Sequence, residues 1–515
     1  MNRLVHDIEV AVRGFRRAPA FAATVVLILG LGIGMTVAML TVSDAVLWRR
    51  LPVRDQDRVV VLWGVGEGAQ TQLQLRLPQY ERFRAASRTL SEAAAVPHWG
   101  VIPYPMADGD RNLSLRHALV TGNFFQTLGS TTALGRPLQP ADDVVGAEPV
   151  MVISHNVWTQ QFAGDPNIIG RRLTMRGFRG LTYTIVGVAR AGLDYPVGTD
   201  VWAPVVPFTT IAGQSYVTVF VVGRLAPDAS PAMARAELFN FLRRADEASS
   251  NLAVPVGAAA QTLSEAVLGN VRPALLVLTS AALLLLLAAC LNVGNLLLLR
   301  AHGHTREIGI RRALGAGYGD IAKHVLLEST LLAAGGGLLG LLVALGLLRA
   351  LFVMPPADLP RLDMIRLGGA PVTVAALVTV VAVLLFGLGP AIAAARIDPA
   401  ALLRVSSGSR GQSGRRSGLR HALVGAQIAL AFVVLAGAGL LTRSLARLQR
   451  LDLGFSSDGV SLIQISLPSR LGGNQREVLA LHEQVVAKFR AVPGVSGATP
   501  LFMPPFVGEG FNVDI

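Results

Sequence analysis

The most constraining feature of this 515-residue sequence is a set of five long apolar runs. They occupy residues 20–47, 273–299, 325–352, 371–395 and 422–442. Each supplies roughly 20 or more residues nearly free of charge, enough for a helix to cross a hydrocarbon core of about 30 Å. In lipid a helix is favoured, because every backbone N–H and C=O must find its partner inside the segment. The runs therefore predict a polytopic membrane protein with five crossings.

The net charge of +13 is concentrated beside the apolar runs. Residues 49–270 are nearly balanced, with about 20 arginines against about 18 acidic residues, so the charge does not indicate a nucleic-acid partner. The basic excess lies in 1–19, 300–324 and 396–420, which the positive-inside rule places in the cytoplasm. The N-terminus is then cytoplasmic, and the long segment 48–270 is extracytoplasmic.

The same runs divide the chain into domains. Leu4, Ile8, Val12 and Phe15 recur at helical spacing, so we predict an amphipathic helix on the inner membrane surface; a short solvated helix is the alternative. The first run is too long for a typical signal-peptide h-region and is predicted to be a retained anchor. The predicted order is a cytoplasmic helix over 1–19, crossings over 20–47, 273–299, 325–352, 371–395 and 422–442, an extracytoplasmic domain over 48–270, a cytoplasmic loop over 300–324, a linker over 405–421, and an incomplete second extracytoplasmic domain over 443–515.

The segment 48–270 alternates short β-branched runs with helical patterns, which indicates an α+β domain. At about 220 residues it is long enough to hold its own core. Its predicted strands are Val59–Trp63, Val150–Ser154, Tyr183–Val188 and Thr218–Val222, and its predicted helices lie around 78–88, 155–163 and 229–246. The predicted fold class is therefore an α+β membrane protein, a helical transmembrane bundle with a large α+β extracytoplasmic domain.

The loop between the second and third crossings carries the most informative motif, TREIGIRRALGA over 305–316. Ile308, Ala313 and Leu314 can form one apolar edge of a short helix, and arginines and a glutamate lie beside that edge. Such a helix suits docking into a groove on a soluble partner. A basic loop that only sets the membrane topology is the alternative.

At this motif the sequence resembles the coupling region of the MacB/FtsX-like ABC permease family. The resemblance continues at Gly389–Arg404, which is similar to the family sequence after the last crossing of a repeat. Gly122–Gly129 and Thr184–Val188 are similar to the MacB-type periplasmic core. These motifs follow the family order over most of residues 1–405.

The resemblance implies a MacB-like periplasmic core over 48–270 and an FtsX-like permease domain over 273–404. It implies a multi-pass protein of the bacterial inner membrane, in contact with lipid and with a cytoplasmic ABC ATPase. The implied ATPase contacts are Arg306, Glu307, Ile308, Ile310, Arg311, Arg312 and Leu314. A homodimer, and a periplasmic adaptor or outer-membrane component, are further partners that the architecture allows. The fifth crossing is similar to duplicated, eight-crossing variants and implies that three further crossings are missing from this chain.

Two functions fit these expectations. The first is a permease that transmits ATPase-driven motion to the outer domain and so exports or extracts a hydrophobic or amphipathic substrate. The alternative is a non-transporting regulator or sensor that controls an extracytoplasmic partner such as a cell-wall hydrolase. We predict no catalytic, cofactor or metal site, because the histidines are scattered and neither lysine, Lys323 or Lys488, follows a glycine as a phosphate-binding loop requires. ATP hydrolysis is expected from a separate subunit.

Two pairs of glycines in apolar runs predict close helix packing. Gly30 and Gly34 are spaced by one helical turn, as are Gly336 and Gly340. Small residues at this spacing let two helix backbones approach closely in lipid. The sequence alone leaves open whether the contact lies within one chain or between two copies. In the third run, Glu328 is costly unless it is partnered or near the interface.

Overall fold

The computed structural model describes residues 9, 12–66, 72–98, 100–175, 181–212, 217–246, 255–269, 271–303, 318–353, 365, 369–395, 414–449, 459–461, 463 and 475–499. The chain divides into two compact units. The first is formed by Met1–Trp48 together with Asn270–Ser456, and the second by Arg49–Gly269 together with Ser457–Ile515.

The α-helices, in chain order, are α1 (Pro19–Ser43), α2 (Leu77–Ala86), α3 (Phe124–Leu128), α4 (His155–Gln161), α5 (Val205–Ala212), α6 (Pro231–Asp246), α7 (Leu263–Leu268), α8 (Val271–Gly303), α9 (Tyr318–Val353), α10 (Gly369–Ala395), α11 (Gly414–Gln449) and α12 (Gln475–Arg490). The strands are β1 (Val59–Gly66), β2 (Gln72–Leu73), β3 (Leu75–Arg76), β4 (Leu90–Pro97), β5 (Val101–Asp108), β6 (Arg111–Val120), β7 (Thr132–Gly135), β8 (Val150–Ile153), β9 (Arg172–Met175), β10 (Thr182–Ala189), β11 (Val201–Pro204), β12 (Thr218–Leu225) and β13 (Pro255–Thr262).

The first unit is a helical bundle in which α1 contacts α8, α9 and α10. Along α1, Leu29, Ile33 and Val37 are fully buried. Leu27 and Leu31 on the same helix are 55% and 61% exposed. A helix that is apolar on both its buried and its exposed faces suits a lipid environment, because lipid tails are as apolar as leucine.

The structure supports several of the predicted crossings. Among the described residues, four helical segments are long and apolar enough to span a membrane, namely Pro19–Trp48, Val271–Leu297, Val325–Val353 and Val424–Arg447. The predicted crossing over 371–395 falls in α10, which is a helix of 27 residues. Five crossings therefore stay a prediction for this chain.

The second unit contains two sheets. In the first sheet β1 lies between β13 and β12, while β3 and β4 both pair with β12, and β2 pairs with β1. All of these pairings are antiparallel. Helix α6 packs on β13 and β1. Phe83 of α2 meets Phe241 of α6 with their ring centroids 5.2 Å apart, which ties both helices into the core.

The second sheet runs in the order β7-β10-β8-β11-β6-β5-β9. Because β9 pairs with β10 as well as with β5, strands β10, β8, β11, β6, β5 and β9 form a closed ring. Along β6, Leu113, Leu115 and His117 are buried while the residues between them are exposed. This alternation is the period of two that a strand with one buried face requires.

His117 is a titratable residue of the second sheet, and it is only 2% exposed. Its ring lies edge-to-face with Tyr104 at 5.7 Å and tilted against Tyr183 at 6.0 Å, measured between centroids. Neither ring nitrogen has a hydrogen-bond partner among the described residues. Burial lowers the pKa of His117 to about 3 and raises the pKa of Tyr104 to about 12. The histidine is therefore neutral at physiological pH.

A buried arginine anchors α3 to the first sheet. Arg224 on β12 is 3% exposed and donates from Nε to the Thr127 carbonyl at 3.0 Å and from Nη2 to the Leu128 carbonyl at 2.8 Å. These carbonyls end α3, so the cation sits at the negative end of that helix. Gly129 follows with φ +61°, and a methyl group there would lie 2.7 Å from Cβ of Arg54. Both the positive φ and the short distance to Arg54 require a glycine at position 129.

The predicted secondary structure of the outer segment is confirmed. The four predicted strands are present as β1, β8, β10 and β12, and the three predicted helices as α2, α4 and α6. Strand β8 ends at Ile153, one residue before the predicted end. The reason is that Ser154 caps α4, its Oγ accepting a hydrogen bond from the Val157 N–H at 3.2 Å.

Candidate functional site

The residues expected to contact an ATPase, Arg306 to Leu314, lie outside the described part of the chain. They are bounded by the end of α8 at Gly303 and the start of α9 at Tyr318. The geometry of the site is therefore that of the helices that precede and follow this loop, and of the helix α1 against which they pack.

The two glycine pairs face each other within one chain. A methyl group added to Gly34 of α1 would lie 2.7 Å from Cβ of Val343 and 2.9 Å from the Gly340 carbonyl oxygen. One added to Gly340 of α9 would lie 2.9 Å from Cβ of Ile33 and 3.1 Å from the Gly34 nitrogen. Distances under 3 Å are shorter than real Cβ contacts, so the backbones meet here only because both residues lack a side chain.

The other two glycines extend the same contact by one turn. A methyl group at Gly30 would lie 2.7 Å from Cδ2 of Leu339, and one at Gly336 would lie 2.7 Å from Cβ of Leu29. We call the contact formed by Gly30, Gly34, Gly336 and Gly340 the glycine seam. It fits large side chains of each helix over the glycines of the other, and so fixes the register of α1 against α9.

A second face of α1 is hydrogen-bonded to α8. The Thr36 hydroxyl donates to the Ala282 carbonyl at 3.1 Å, and the Ser43 and Thr279 hydroxyls are 2.7 Å apart. All of these side chains are buried. We call this the hydroxyl clasp. It holds the last turns of α1 against the first turns of α8.

The remaining face of α9 packs closely on α10. A methyl group at Gly337 would lie 2.5 Å from Oγ1 of Thr379, and one at Gly387 would lie 3.2 Å from Cβ of Ser329. Glycines therefore allow close packing on two sides of α9, because the adjacent residues Gly336 and Gly337 face α1 and α10 respectively. The result is a chain of close contacts from α10 through α9 to α1 and on to α8.

The chain stays helical beyond the end of α1 at Ser43, but with a different geometry. Residues Asp44–Trp48 form a π-helix, in which Ala45 and Val46 are buried. Long π-helical turns are rare and are often found at functional positions. This one lies directly before Arg49, where the second unit begins.

Family models match both parts of this architecture. Residues 22–240 match the MacB-like periplasmic core domain, and residues 279–399 match the FtsX-like permease C-terminal domain. Together they account for about two thirds of the chain. The chain belongs to the MacB/FtsX-like permease family. Permeases of this family reside in the inner membrane.

Curated relatives carry the same family name. The chain is 27% identical over 289 residues to the macrolide export ATP-binding/permease protein MacB of Agrobacterium fabrum, covering 55% of this chain and 43% of that protein. It is 29% identical over 281 residues to the protein of the same name from Hahella chejuensis, covering 54% of this chain and 41% of that protein. The chain thus spans less than half the length of these relatives.

Solved structures of two extracytoplasmic regions are also similar. The extracellular domain of the ABC-type transporter YknZ from Gram-positive bacteria is 11% identical with a TM-score of 0.31, covering 39% of this chain and 99% of that one. The periplasmic region of MacB from Actinobacillus actinomycetemcomitans is 11% identical with a TM-score of 0.32, covering 44% of this chain and 97% of that one.

Several residues of this permease site escaped the sequence analysis. Thr36, Ser43 and Thr279 are hydroxyl residues inside apolar runs, and that position was the available signal, because a hydroxyl in lipid must find a hydrogen-bond partner. Gly337 escaped because it sits beside a glycine already assigned to packing. In the described part of the chain, no group of three or more His, Cys, Asp or Glu is placed to hold a metal ion.

Proposed function

We propose that this chain is a permease that transmits ATPase-driven motion from its cytoplasmic loop to its extracytoplasmic domain, and so exports or extracts a hydrophobic or amphipathic substrate. The observation that carries the proposal is the glycine seam between α9, the helix that follows the loop, and α1, the helix that leads into the outer domain. A seam without side chains between the backbones has little compliance, since close-packed interiors transmit strain.

The path continues from the seam to both connections of the outer domain. Helix α1 is followed along the chain by Arg49–Gly269, and α8 begins directly after that segment. The hydroxyl clasp joins these two helices at the ends that adjoin it. A displacement of α9 is therefore passed to α1 at the seam and shared with α8 at the clasp.

The proposed partner is an ABC ATPase supplied from outside these 515 residues, because no phosphate-binding loop is present in them. The basic flanks favour a cytoplasmic N-terminus, which places Arg306 to Leu314 on the ATPase side. The name of the curated relatives makes a macrolide the first substrate to test.

Affinity co-purification of the full-length chain in detergent tests this proposal. The variant is Glu307→Ala with Arg311→Ala, and the matched control is Glu9→Ala with Arg13→Ala. Glu9 and Arg13 form an exposed pair at the same i, i+4 spacing, 3.3 Å apart. We expect the loop variant to lose about tenfold or more of the bound ATPase and its hydrolysis, because truncating two charged contacts at an interface centre costs at least about 1.4 kcal/mol. The control should retain both.

Other outcomes separate the alternatives. If wild type and control retain an ATPase and the loop variant loses it, the coupling assignment stands, and macrolide transport in vesicles decides the substrate. If wild type retains an ATPase but moves no hydrophobic or amphipathic compound, the regulator alternative gains support. If wild type retains no ATPase, the proposed function is wrong.

A further inference from the structure

Arg300 lies near the end of α8, three residues before that helix ends at Gly303. Its Nη2 donates a hydrogen bond to the Gly14 carbonyl at 3.3 Å. Gly14 belongs to residues 12–17, which are helical and directly precede α1. The Arg300 side chain therefore bridges two segments that are 286 residues apart in sequence.

The guanidinium group is also held by two aromatic rings. Its Cζ lies 4.6 Å from the centroid of Phe21, in the first turn of α1, and 5.7 Å from the centroid of Phe15. Both distances are within the range of cation–π attraction, which strengthens where water is excluded. The arginine thus binds the residues on both sides of the junction between 12–17 and α1.

Helix α9 reaches the same place. A methyl group added to Gly14 would lie 3.5 Å from Nη2 of Arg300 and 3.8 Å from Oε1 of Glu328. Glu328 stands in the third turn of α9, which begins at Tyr318. The glutamate that the sequence analysis singled out as costly in an apolar run is therefore placed beside the backbone of the N-terminal segment and close to a cation.

Arg300 and Glu328 come from the two helices that bound the predicted coupling loop. The exposed arginines Arg16 and Arg17 supply positive charge on the same segment, so topology alone does not require a half-buried arginine with aromatic contacts. The arrangement instead gives the loop a second connection to α1, at the opposite end of that helix from the hydroxyl clasp.

We propose that Arg300 is a positioning residue that clamps the N-terminal segment to the ends of the coupling loop, so that displacement of the loop reaches the start of α1 as well as the glycine seam. This inference rests on the proposed function for its ATPase readout. Its geometric content, that Arg300 holds residues 12–17 in place, is independent of any ATPase.

The test uses the full-length chain with Cys290→Ala, and with Arg17→Cys and Leu342→Cys as spin-label sites. Leu342 is a 67% exposed position on α9, so a label there does not disturb packing. The variants are Arg300→Gln, which keeps a donor but loses the cation, Arg300→Lys, which keeps the cation, and Phe21→Leu, which removes the nearer ring. The matched control is Arg16→Gln, the same charge loss at an exposed position of the same segment.

We expect a single narrow distance in the parent chain and in Arg16→Gln, a broad distribution in Arg300→Gln, and intermediate widths in Arg300→Lys and Phe21→Leu. In the ATPase complex, Arg300→Gln should lower permease-stimulated hydrolysis by about fivefold or more, the lower range of an allosteric coupling, while the amount of bound ATPase stays within about twofold. Partial recovery in Arg300→Lys would separate the cationic clamp from a packing defect.

An unchanged distance distribution in Arg300→Gln overturns the clamp. A broadened distribution with wild-type hydrolysis overturns its role in coupling. If the parent chain retains no ATPase, the proposed function fails, and the distance measurement still decides whether Arg300 holds the segment. A comparable loss in Arg16→Gln would assign the effect to net charge and also overturn the proposal.

Discussion

The two units of this chain bring their elements together in different ways. The second unit buries large side chains, among which Trp202, Tyr80, Phe83 and Phe124 are almost completely enclosed. The membrane unit brings backbones together across glycines and hydroxyls. In water, burying large apolar side chains stabilises the fold because it removes them from the solvent. Lipid provides no such driving force, so close packing must stabilise the contacts between helices.

The two units should therefore lose stability through different kinds of substitution. The core of the second unit should be destabilised when a large side chain is truncated or a buried polar anchor loses its partner. The membrane bundle should suffer most when a side chain is added where none fits. Helix α11 offers an internal reference, because no atom of the described residues outside the local helix backbone lies within 4 Å of a methyl group added at Gly425, Gly437 or Gly439.

The largest expected effect is at the seam. Gly34→Leu should destabilise the bundle by about 3 kcal/mol, the upper range for overpacking, because its Cβ would stand 2.7 Å from Cβ of Val343. Gly437→Leu, the matched control in α11, should change stability by less than about 0.5 kcal/mol. The measurement is the midpoint of SDS-induced unfolding followed by circular dichroism. Equal effects at both glycines would remove the distinction between the seam and open helix surface.

A smaller effect is expected at the buried anchor of the outer unit. Arg224→Met keeps the length of the side chain but leaves the Thr127 carbonyl without its donor, and the Leu128 carbonyl with the Arg54 N–H alone, at a cost of about 2 kcal/mol. The control is Arg116→Met. Arg116 pairs with Asp200 at 3.2 Å but its side chain is 49% exposed, so less than about 1 kcal/mol is expected.

Urea unfolding followed by tryptophan fluorescence measures both variants, since Trp202 is fully buried in the same unit. If Arg224→Met lowers the free energy of unfolding no more than Arg116→Met does, the buried Arg224 contact does not stabilise the second unit.

The next effect depends on pH. The pKa of His117 is lowered to about 3 in the folded chain, while an unfolded histidine titrates near pH 6.5. Between these values the unfolded state binds more protons, so stability falls as pH falls. The loss should be about 2 kcal/mol between pH 7 and pH 5. His117→Leu removes this contribution, so its unfolding midpoint should depend less on pH than that of the wild type.

Because acidic groups titrate below pH 5, the informative quantity is the difference between the two pH profiles from pH 7 to pH 5. Parallel profiles would show that His117 is protonated or hydrated in the folded chain, and that the second sheet is less dry than its buried residues indicate.

The sequence predicted the secondary-structure elements better than the contacts between them. Alternating patterns located β1, β8, β10 and β12, because strand periodicity is a local property of the chain. The glycine spacing indicated close packing, but the choice between one chain and two copies depends on a partner helix some 300 residues away, which no local pattern contains. Arg300 was counted only as a charge that sets topology, since its aromatic and carbonyl partners lie near the N-terminus.

The smallest effect concerns the hydroxyl clasp. Ser43→Ala removes a buried hydroxyl–hydroxyl contact of 2.7 Å with Thr279, and an interhelical hydrogen bond in a membrane protein is worth about 0.6 kcal/mol on average. Thr442→Ala on α11 is the control, because the Thr442 hydroxyl donates to the Ala438 carbonyl of its own helix at 2.9 Å, so its loss should leave helix contacts unchanged.

A double-mutant cycle of Ser43→Ala with Thr279→Val, measured by SDS unfolding, isolates the pair. A coupling near 0.6 kcal/mol would mean that the clasp contributes less to stability than one seam glycine, and that its use lies in aligning α1 with α8. Strict additivity would remove the clasp from the proposed path. Motion would then reach α1 through the seam and the Arg300 contacts, and α1 and α8 would pass it to the outer domain without the alignment that the clasp provides.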